Sequence, residues 1–213
     1  MKITKFGQCC LLIEINGKRV LTDPGVFSTT QNTLTEIDLI LITHEHGDHL
    51  HSESLQAILQ NNPQAEVVTN TSVGKVLAEL SVAYTTLEGR ATATHADLLI
   101  EAFDGEHVEI IDDFGMVQNT GYFIAEKLFY PGDAYTNPDK DVPVLALPVA
   151  GPWCKLSDAI KYARLVKPAA AFPVHDYMLS DVGKTGTYSH CKRELTAAGI
   201  TFVELREDES TEF

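Results

Sequence analysis

Hydrophobic and polar positions along the chain follow two kinds of pattern. Short apolar or alternating runs predict strands over residues 10–15, 19–22, 39–43, 66–69, 98–103, 121–125, 128–130, 144–149, 169–174 and 201–205. Apolar stripes at spacings of three and four predict four helices. They are carried by Leu55, Ile58 and Leu59; by Val73, Val76, Leu77 and Leu80; by Leu156, Ile160 and Ala163; and by Cys191, Leu195 and Ala198. Gly199 is placed to end the last of these. Many strands with fewer helices imply layered α/β packing, with sheets inside and helices outside. The chain shows no repeat, low-complexity stretch or linker, which predicts a single domain over residues 1–213. The polar, mostly acidic tail 206–213 is expected to fray.

Composition narrows the function classes. The 213 residues are enough to bury a sizeable core. Sixteen basic against 30 acidic residues leave a net charge of −14. A nucleic-acid or anionic-membrane surface needs Lys/Arg clusters, and no run here is longer than a pair such as Lys192–Arg193. We therefore expect a small-molecule substrate and neither a nucleic acid nor a membrane as partner; the oligomeric state stays open. No uncharged apolar run approaches the roughly 20 residues that span a bilayer. The start Met1-Lys2-Ile3-Thr4-Lys5-Phe6 lacks a signal peptide's apolar region, so a cytoplasmic location is expected. The four cysteines, at 9, 10, 154 and 191, form no C-x-x-C pair and read as reduced thiols acting as small apolar residues.

One stretch carries chemistry: His44-Glu45-His46-Gly47-Asp48-His49, directly behind the apolar run Leu39-Ile40-Leu41-Ile42-Thr43. In an extended segment side chains alternate, so His44 and His46 point the same way and can grip one metal ion. Gly47 permits a turn. Asp48 and His49 then open a helix near Leu50 and can face a second ion. Imidazoles and carboxylates together suit zinc, iron or manganese. His51, His95 and His190 read as non-ligands.

The stretch resembles the H-x-H-x-D-H signature of the metallo-β-lactamase superfamily, and the likeness extends along nearly the whole chain. It implies a four-layer αβ/βα sandwich with metals at one edge between the sheets. It also implies further ligands from loops behind later strands. His107, in Asp104-Gly105-Glu106-His107, matches the third ligand of the first ion. Asp133, in Pro131-Gly132-Asp133, matches a carboxylate bridging both ions. His175, in Pro173-Val174-His175, completes the second ion with Asp48 and His49. Thr22-Asp23-Pro24-Gly25 matches an element near the site, and Asp23 is a candidate partner for a ligand histidine. One departure stands out: many relatives carry Gly-His before the first predicted strand, where this chain has Gly7-Gln8.

The resemblance implies two divalent ions, zinc foremost with manganese or iron as alternatives, and Asp48 and Asp133 as the catalytic carboxylates. Zinc lowers the pKa of bound water from about 15.7 to about 7, so hydroxide is present at neutral pH. The expected activity is hydrolysis of a small ester, lactone or phosphodiester, anionic ones included, by that hydroxide. Among superfamily members the chain most resembles small metal-dependent hydrolases related to ascorbate-6-phosphate lactonase. The steps Thr22-Asp23-Pro24-Gly25, Pro131-Gly132-Asp133 and Pro173-Val174-His175-Asp176-Tyr177 carry that likeness. Gly151-Pro152-Trp153, Tyr135, Tyr177, Lys184 and Tyr188 fall near predicted site loops as candidate substrate contacts. Two other classes use the same fold. A di-iron redox module usually carries Glu where this chain has His46, and a flavin domain beside it. A sensor or binding protein would not need every ligand position intact.

Overall fold

The strand-forming runs close into two seven-stranded sheets in a computed structural model, which describes residues 1–112 and 116–213. The first sheet is built from β1 (Lys2–Phe6), β2 (Cys10–Ile15), β3 (Lys18–Thr22), β4 (Leu39–Leu41), β5 (Glu66–Thr69) and β6 (Thr85–Thr86). The last strand, β14 (Ser210–Glu212), returns to its edge, giving the order β14-β1-β2-β3-β4-β5-β6. The second sheet holds β7 (Thr92–His95), β8 (Leu98–Glu106), β9 (Gln118–Ile124), β10 (Leu128–Tyr130), β11 (Val144–Pro148), β12 (Ala170–Val174) and β13 (Thr201–Phe202), in the order β13-β12-β11-β10-β9-β8-β7. Both sheets are mixed. In the first, β3, β4, β5 and β6 run parallel; in the second, β10, β11, β12 and β13 do.

Three apolar layers hold four structural layers together. Ile3, Leu11, Ile13, Leu39 and Leu41 face Ile100, Tyr122, Ile124, Leu128 and Phe172 between the sheets. Helices α1 (Ser52–Asn61) and α2 (Thr71–Glu79) cover the outer face of the first sheet, with Leu55, Ile58, Val73 and Leu77 against Leu21, Ile40 and Ile42. Helices α3 (Leu156–Val166) and α4 (Asp181–Thr196) cover the second, with Ile160, Ala163, Cys191 and Leu195 against Phe129, Leu145 and Leu147. The result is the αβ/βα sandwich expected. Burial on both faces explains why the central strands read as continuous apolar runs.

Four strands lie outside the sequence reading: β1, β6, β7 and β14. They are short or polar, and they form because an edge offers backbone partners whatever the side chains are. The tail does not fray: Lys2 pairs with Glu212 and Ile3 with Thr211. In β1 the inward alternation runs Ile3 then Lys5, and the fully buried Lys5 ammonium is paired with the equally buried Asp176. Helix α4 starts ten residues before its first apolar stripe residue, with the Ser180 hydroxyl accepting from Gly183 N at its N-terminus. Strand β4 ends at Leu41, Ile42 N still donates to Val68 O of β5, and Thr43 turns to the other sheet. Thr43 O accepts from Thr120 N of β9 (3.0 Å) as well as from Asn70 Nδ2 (2.8 Å).

Candidate metal centre

Each candidate donor lies beyond the C-terminal end of a strand at that edge. Asp23 follows β3, the 44–49 stretch follows β4, His107 follows β8, Asp133 follows β10 and His175 follows β12. Within the stretch, His49 N and Leu50 N both donate to His46 O, and Val26 N donates to Gly47 O. Gly25 passes directly beneath: a Cβ there would lie 1.8 Å from Asp48 O, so only glycine fits. Asp48 and His49 sit in this turn, ahead of α1, which begins at Ser52 rather than near Leu50. The turn at Asp133 is held by Asn119, whose Oδ1 accepts from Asp133 N (2.9 Å) and whose Nδ2 donates to Pro131 O (2.8 Å).

The structure gathers the predicted residues into two adjoining groups. The donor atoms of His44, His46 and His107 lie within 4.8 Å of one another, as do those of Cys9, His49, Asp133 and His175. Asp48 Oδ2 joins the second group, 3.3 Å from His175 Nε2 and 3.6 Å from His49 Nε2. Asp133 stands between the groups. Its Oδ2 is 3.3 Å from His107 Nε2, 4.0 Å from His44 Nε2 and 2.9 Å from His175 Nε2; its Oδ1 is 3.2 Å from His49 Nε2.

Hydrogen bonds turn the imidazoles one way. His107 Nδ1 donates to Val108 O (2.6 Å) and His175 Nδ1 to Ala150 O (2.7 Å). A carbonyl only accepts, so Nδ1 carries the hydrogen and Nε2 is left to face the cluster. His49 Nδ1 donates to Asp23 Oδ2 (2.7 Å). Thr43 Oγ1 gives its hydrogen to the same oxygen (2.7 Å), and so accepts from His44 Nδ1 (3.0 Å). Asp23 also accepts from Thr43 N and Tyr130 OH, four bonds on one fully buried carboxylate. These bonds hold Asp23 at φ 36°; His175 sits at φ 59°, where only glycine is at ease.

The donor set fits divalent metal. His44 Nε2, His49 Nε2 and Asp133 Oδ1 are buried with no hydrogen-bond partner among the described residues. Leaving such atoms unsatisfied costs about 1–3 kcal/mol each, which a cation would relieve. Donors on one tetrahedral ion at 2.0–2.1 Å stand about 3.3 Å apart, and several separations here are of that size. Charge points the same way. Burial, with His49 adding, holds His44 well below the ordinary histidine range, and burial with His107 lowers His46. At His49 and His175 burial is outweighed by Asp133, and both are raised well above that range. At Asp133 burial is outweighed by His175 and His49, which hold the carboxyl well below its ordinary value.

Sequence reading gives Gln8 and Cys9 no role here. Gln8 Nε2 donates to Asp48 Oδ2 and lies 3.2 Å from His175 Nε2, while Gln8 O accepts from His175 N. The only signal for Gln8 is its place where relatives carry histidine. Thr43, Asn119 and Tyr130 carry no such signal. His95 bonds Glu66, His51 precedes α1 beside Glu53 and Ser54, and His190 is exposed late in α4 rather than near its start.

Above the donors opens a cavity of about 280 Å³. His46, Asp48, His107, Asp133 and His175 form its floor; Val26, Phe27, Ile110, Trp153 and Met178 form its walls. Of the candidate substrate contacts, Pro152 and Trp153 line it. Tyr177 stacks on Phe27 at 5.2 Å and Tyr135 packs on Trp153 at 5.6 Å. Lys184 pairs with Glu207, and the Tyr188 hydroxyl donates to Asp176.

Comparison with known proteins identifies the family and the fold. A family model described as a beta-lactamase superfamily domain matches residues 2–175. Protein Rv0786c of Mycobacterium tuberculosis is 34% identical over 218 residues, covering 100% of this chain and 95% of that protein. A UPF0173 metal-dependent hydrolase of Alkaliphilus metalliredigens is 27% identical over 192 residues, 82% of this chain and 85% of its own. Among solved structures, Igni18, a metallo hydrolase of the archaeon Ignicoccus hospitalis, superposes with a TM-score of 0.76 at 20% identity, covering 100% of this chain and 98% of that one. No helix among the described residues is long and apolar enough to cross a membrane.

Proposed function

This chain belongs to the beta-lactamase superfamily, and on that premise we propose how it acts: as a metal-dependent hydrolase that cleaves a small, uncharged ester or lactone at a paired metal centre. His44, His46 and His107 hold one ion, Asp48, His49 and His175 hold the other, and Asp133 lies between them. Zinc suits this set, with manganese or iron as alternatives. Divalent ions at these positions would supply Lewis acidity, polarising a substrate oxygen and lowering the pKa of water to about 7. The chain does the rest. Asp23, Val108 O, Ala150 O and Thr43 fix the imidazole rings, so the donors need no reorganisation when substrate arrives. Gln8 anchors one oxygen of Asp48.

The observation that carries the substrate reading is the cavity wall. Val26, Phe27, Ile110, Trp153 and Met178 offer apolar surface, and no Lys or Arg stands among the described lining residues. Metal ions would take part of a phosphodiester's negative charge, but the described lining residues add none of the Arg, Lys or helix N-termini with which proteins usually meet the remaining anionic oxygens. An apolar acyl or aryl group gains roughly 25 cal/mol per Å² buried against such walls. The volume of about 280 Å³ lies just under the ~300–1,000 Å³ of most small-ligand sites, which favours a small substrate.

The test is a panel of neutral esters, lactones and phosphodiesters of matched size, assayed with metal-replete protein. Neutral carbonyl substrates are expected to lead in kcat/KM by about tenfold or more, roughly 1.4 kcal/mol of transition-state preference. A phosphodiester in the lead would overturn the substrate reading. Elemental analysis is expected to find two ions per chain; full activity with one or fewer would overturn the paired centre.

A further inference from the structure

The second donor group contains a residue that metal-ligand motifs based on histidine and aspartate do not include. Cys9 sits in the turn between β1 and β2, and its Sγ lies within 4.8 Å of the donor atoms of His49, Asp133 and His175. All four side chains are buried, Cys9 at 2% exposure. Two atoms of this group, His49 Nε2 and Asp133 Oδ1, have no hydrogen-bond partner among the described residues, so the cluster around the thiol is unsatisfied from more than one side. The backbone at Cys9 is anchored: Thr22 Oγ1 donates to Cys9 O (3.0 Å), and Leu11 N donates to Thr22 Oγ1 (3.1 Å). Cys10, next in the chain, packs the opposite way, against Leu21, Ile40 and Leu55 under α1.

We propose that Cys9 is a sulfur ligand of the second metal position, beside His49, Asp133 and His175. This rests on the reading of the cluster as a metal centre and adds a donor to it. A thiol that coordinates a divalent ion loses its proton to solvent as the metal–sulfur bond forms, with no change in oxidation state. Thiolate is a soft donor. It selects zinc, cobalt or cadmium over manganese, which carboxylate and imidazole alone would also accept. The two positions of the centre would therefore differ in metal preference: three imidazoles at one, and sulfur, imidazole and carboxylate at the other.

The experiment is optical and needs no substrate. The metal-free chain is loaded with cobalt(II) and its absorption recorded for wild type, Cys9→Ser and Cys10→Ser. Visible d–d bands report cobalt held by the cluster, and a near-ultraviolet thiolate-to-cobalt charge-transfer band reports sulfur bonded to it. Wild type and Cys10→Ser are expected to show both; Cys9→Ser is expected to keep d–d bands and lose the charge-transfer band. In an equimolar zinc–manganese mixture, zinc excess over manganese is expected to fall about tenfold or more in Cys9→Ser. Wild type with d–d bands but no charge-transfer band overturns the sulfur ligand and leaves the centre standing. A charge-transfer band that survives in Cys9→Ser also overturns it. Absence of both bands in wild type overturns the metal centre and the ligand together. Should Cys9→Ser fail to fold, a charge-transfer band that persists in Cys10→Ser, Cys154→Ser and Cys191→Ser assigns the sulfur to Cys9, and a band lost in any one of them overturns that assignment.

Discussion

Replacing Asp23 with asparagine tests how the centre is held, because Asp23 touches it only through His49 and Thr43. The carboxylate accepts from His49 Nδ1 at 2.7 Å and from Thr43 Oγ1, Thr43 N and Tyr130 OH. Three of these donors meet Oδ2 and only Thr43 N meets Oδ1, so Asn must turn its NH2 either to the Thr43 N–H or to the His49 side. The backbone donor cannot give up its hydrogen, whereas hydroxyls rotate and an imidazole can tautomerise, so the NH2 faces His49 Nδ1 and cannot receive its hydrogen. The imidazole escapes the clash by moving its hydrogen to Nε2, the atom that faces Asp133 and Asp48. An Nε2 that carries hydrogen cannot bind metal. Removing such a partner typically weakens metal binding 10–100-fold, or about 1.4–2.7 kcal/mol. The expected result for Asp23→Asn is therefore a loss of that size for one ion, with the ion at His44, His46 and His107 held more nearly as before. Losing a charged acceptor should also lower metal-free stability by about 1.5–3 kcal/mol. Tyr130→Phe is the control: it removes one bond to the same carboxylate, and the hydroxyl beside Cys9 O, without touching the tautomer, and should cost about 1 kcal/mol with metal affinity lowered by well under tenfold. Competition titration against a chromophoric chelator measures the affinities, and nitrogen NMR of the histidine rings reads the tautomer. Asp23→Asn protein that binds both ions within about twofold of wild type would refute the reasoning.

Asp133→Asn should lower affinity for both ions, since its two oxygens face both donor groups, whereas His51→Ala should stay within about 0.5 kcal/mol of wild-type stability; equal loss of activity in the two, at matched folding, would mean the donors are misassigned. Gly25→Ala should destabilise by about 3 kcal/mol or more and abolish binding at the second position, because the added Cβ meets the Asp48 backbone at 1.8 Å; an alanine variant melting within a few degrees of wild type would contradict the close approach. Metal-free stability should peak near pH 6.5, the ordinary histidine value. Above it, the raised His49 and His175 keep protons that the unfolded chain has released, so their contribution is lost as pH rises. Below it, the unfolded chain takes up protons that the depressed His44 and His46 refuse, and further down the depressed Asp48 and Asp133 add the same trend. Urea midpoints of chelated protein at several pH values measure this, and a midpoint climbing steadily from pH 5 to 9 would count against the charge pattern.

Local pattern determined the layers and the chemistry. Strands buried in the core announce themselves as apolar runs, and three of them, β2, β5 and β10, match their runs at both ends. His44, His46, Asp48 and His49 are legible because they lie within six residues behind such a run, where alternation and one glycine settle which way side chains point. His107, Asp133 and His175 are legible only through family resemblance, since nothing local brings residues so far apart in the chain to one edge. Tertiary structure decided what remains. Strands β6, β7 and β14 at sheet edges, and β1 next to one, exist because a neighbouring strand supplies backbone partners, which side-chain periodicity does not encode. Lys5 faces inward because Asp176 waits there. Which nitrogen His49, His44, His107 and His175 turn to the cluster depends on Asp23, Thr43, Val108 O and Ala150 O. The places of Gln8 and Cys9 are likewise consequences of packing, because the turn between β1 and β2 meets the second donor group only when the sheets close on each other. Donor identity is a property of residues and their order; donor geometry is a property of contacts between residues distant in sequence.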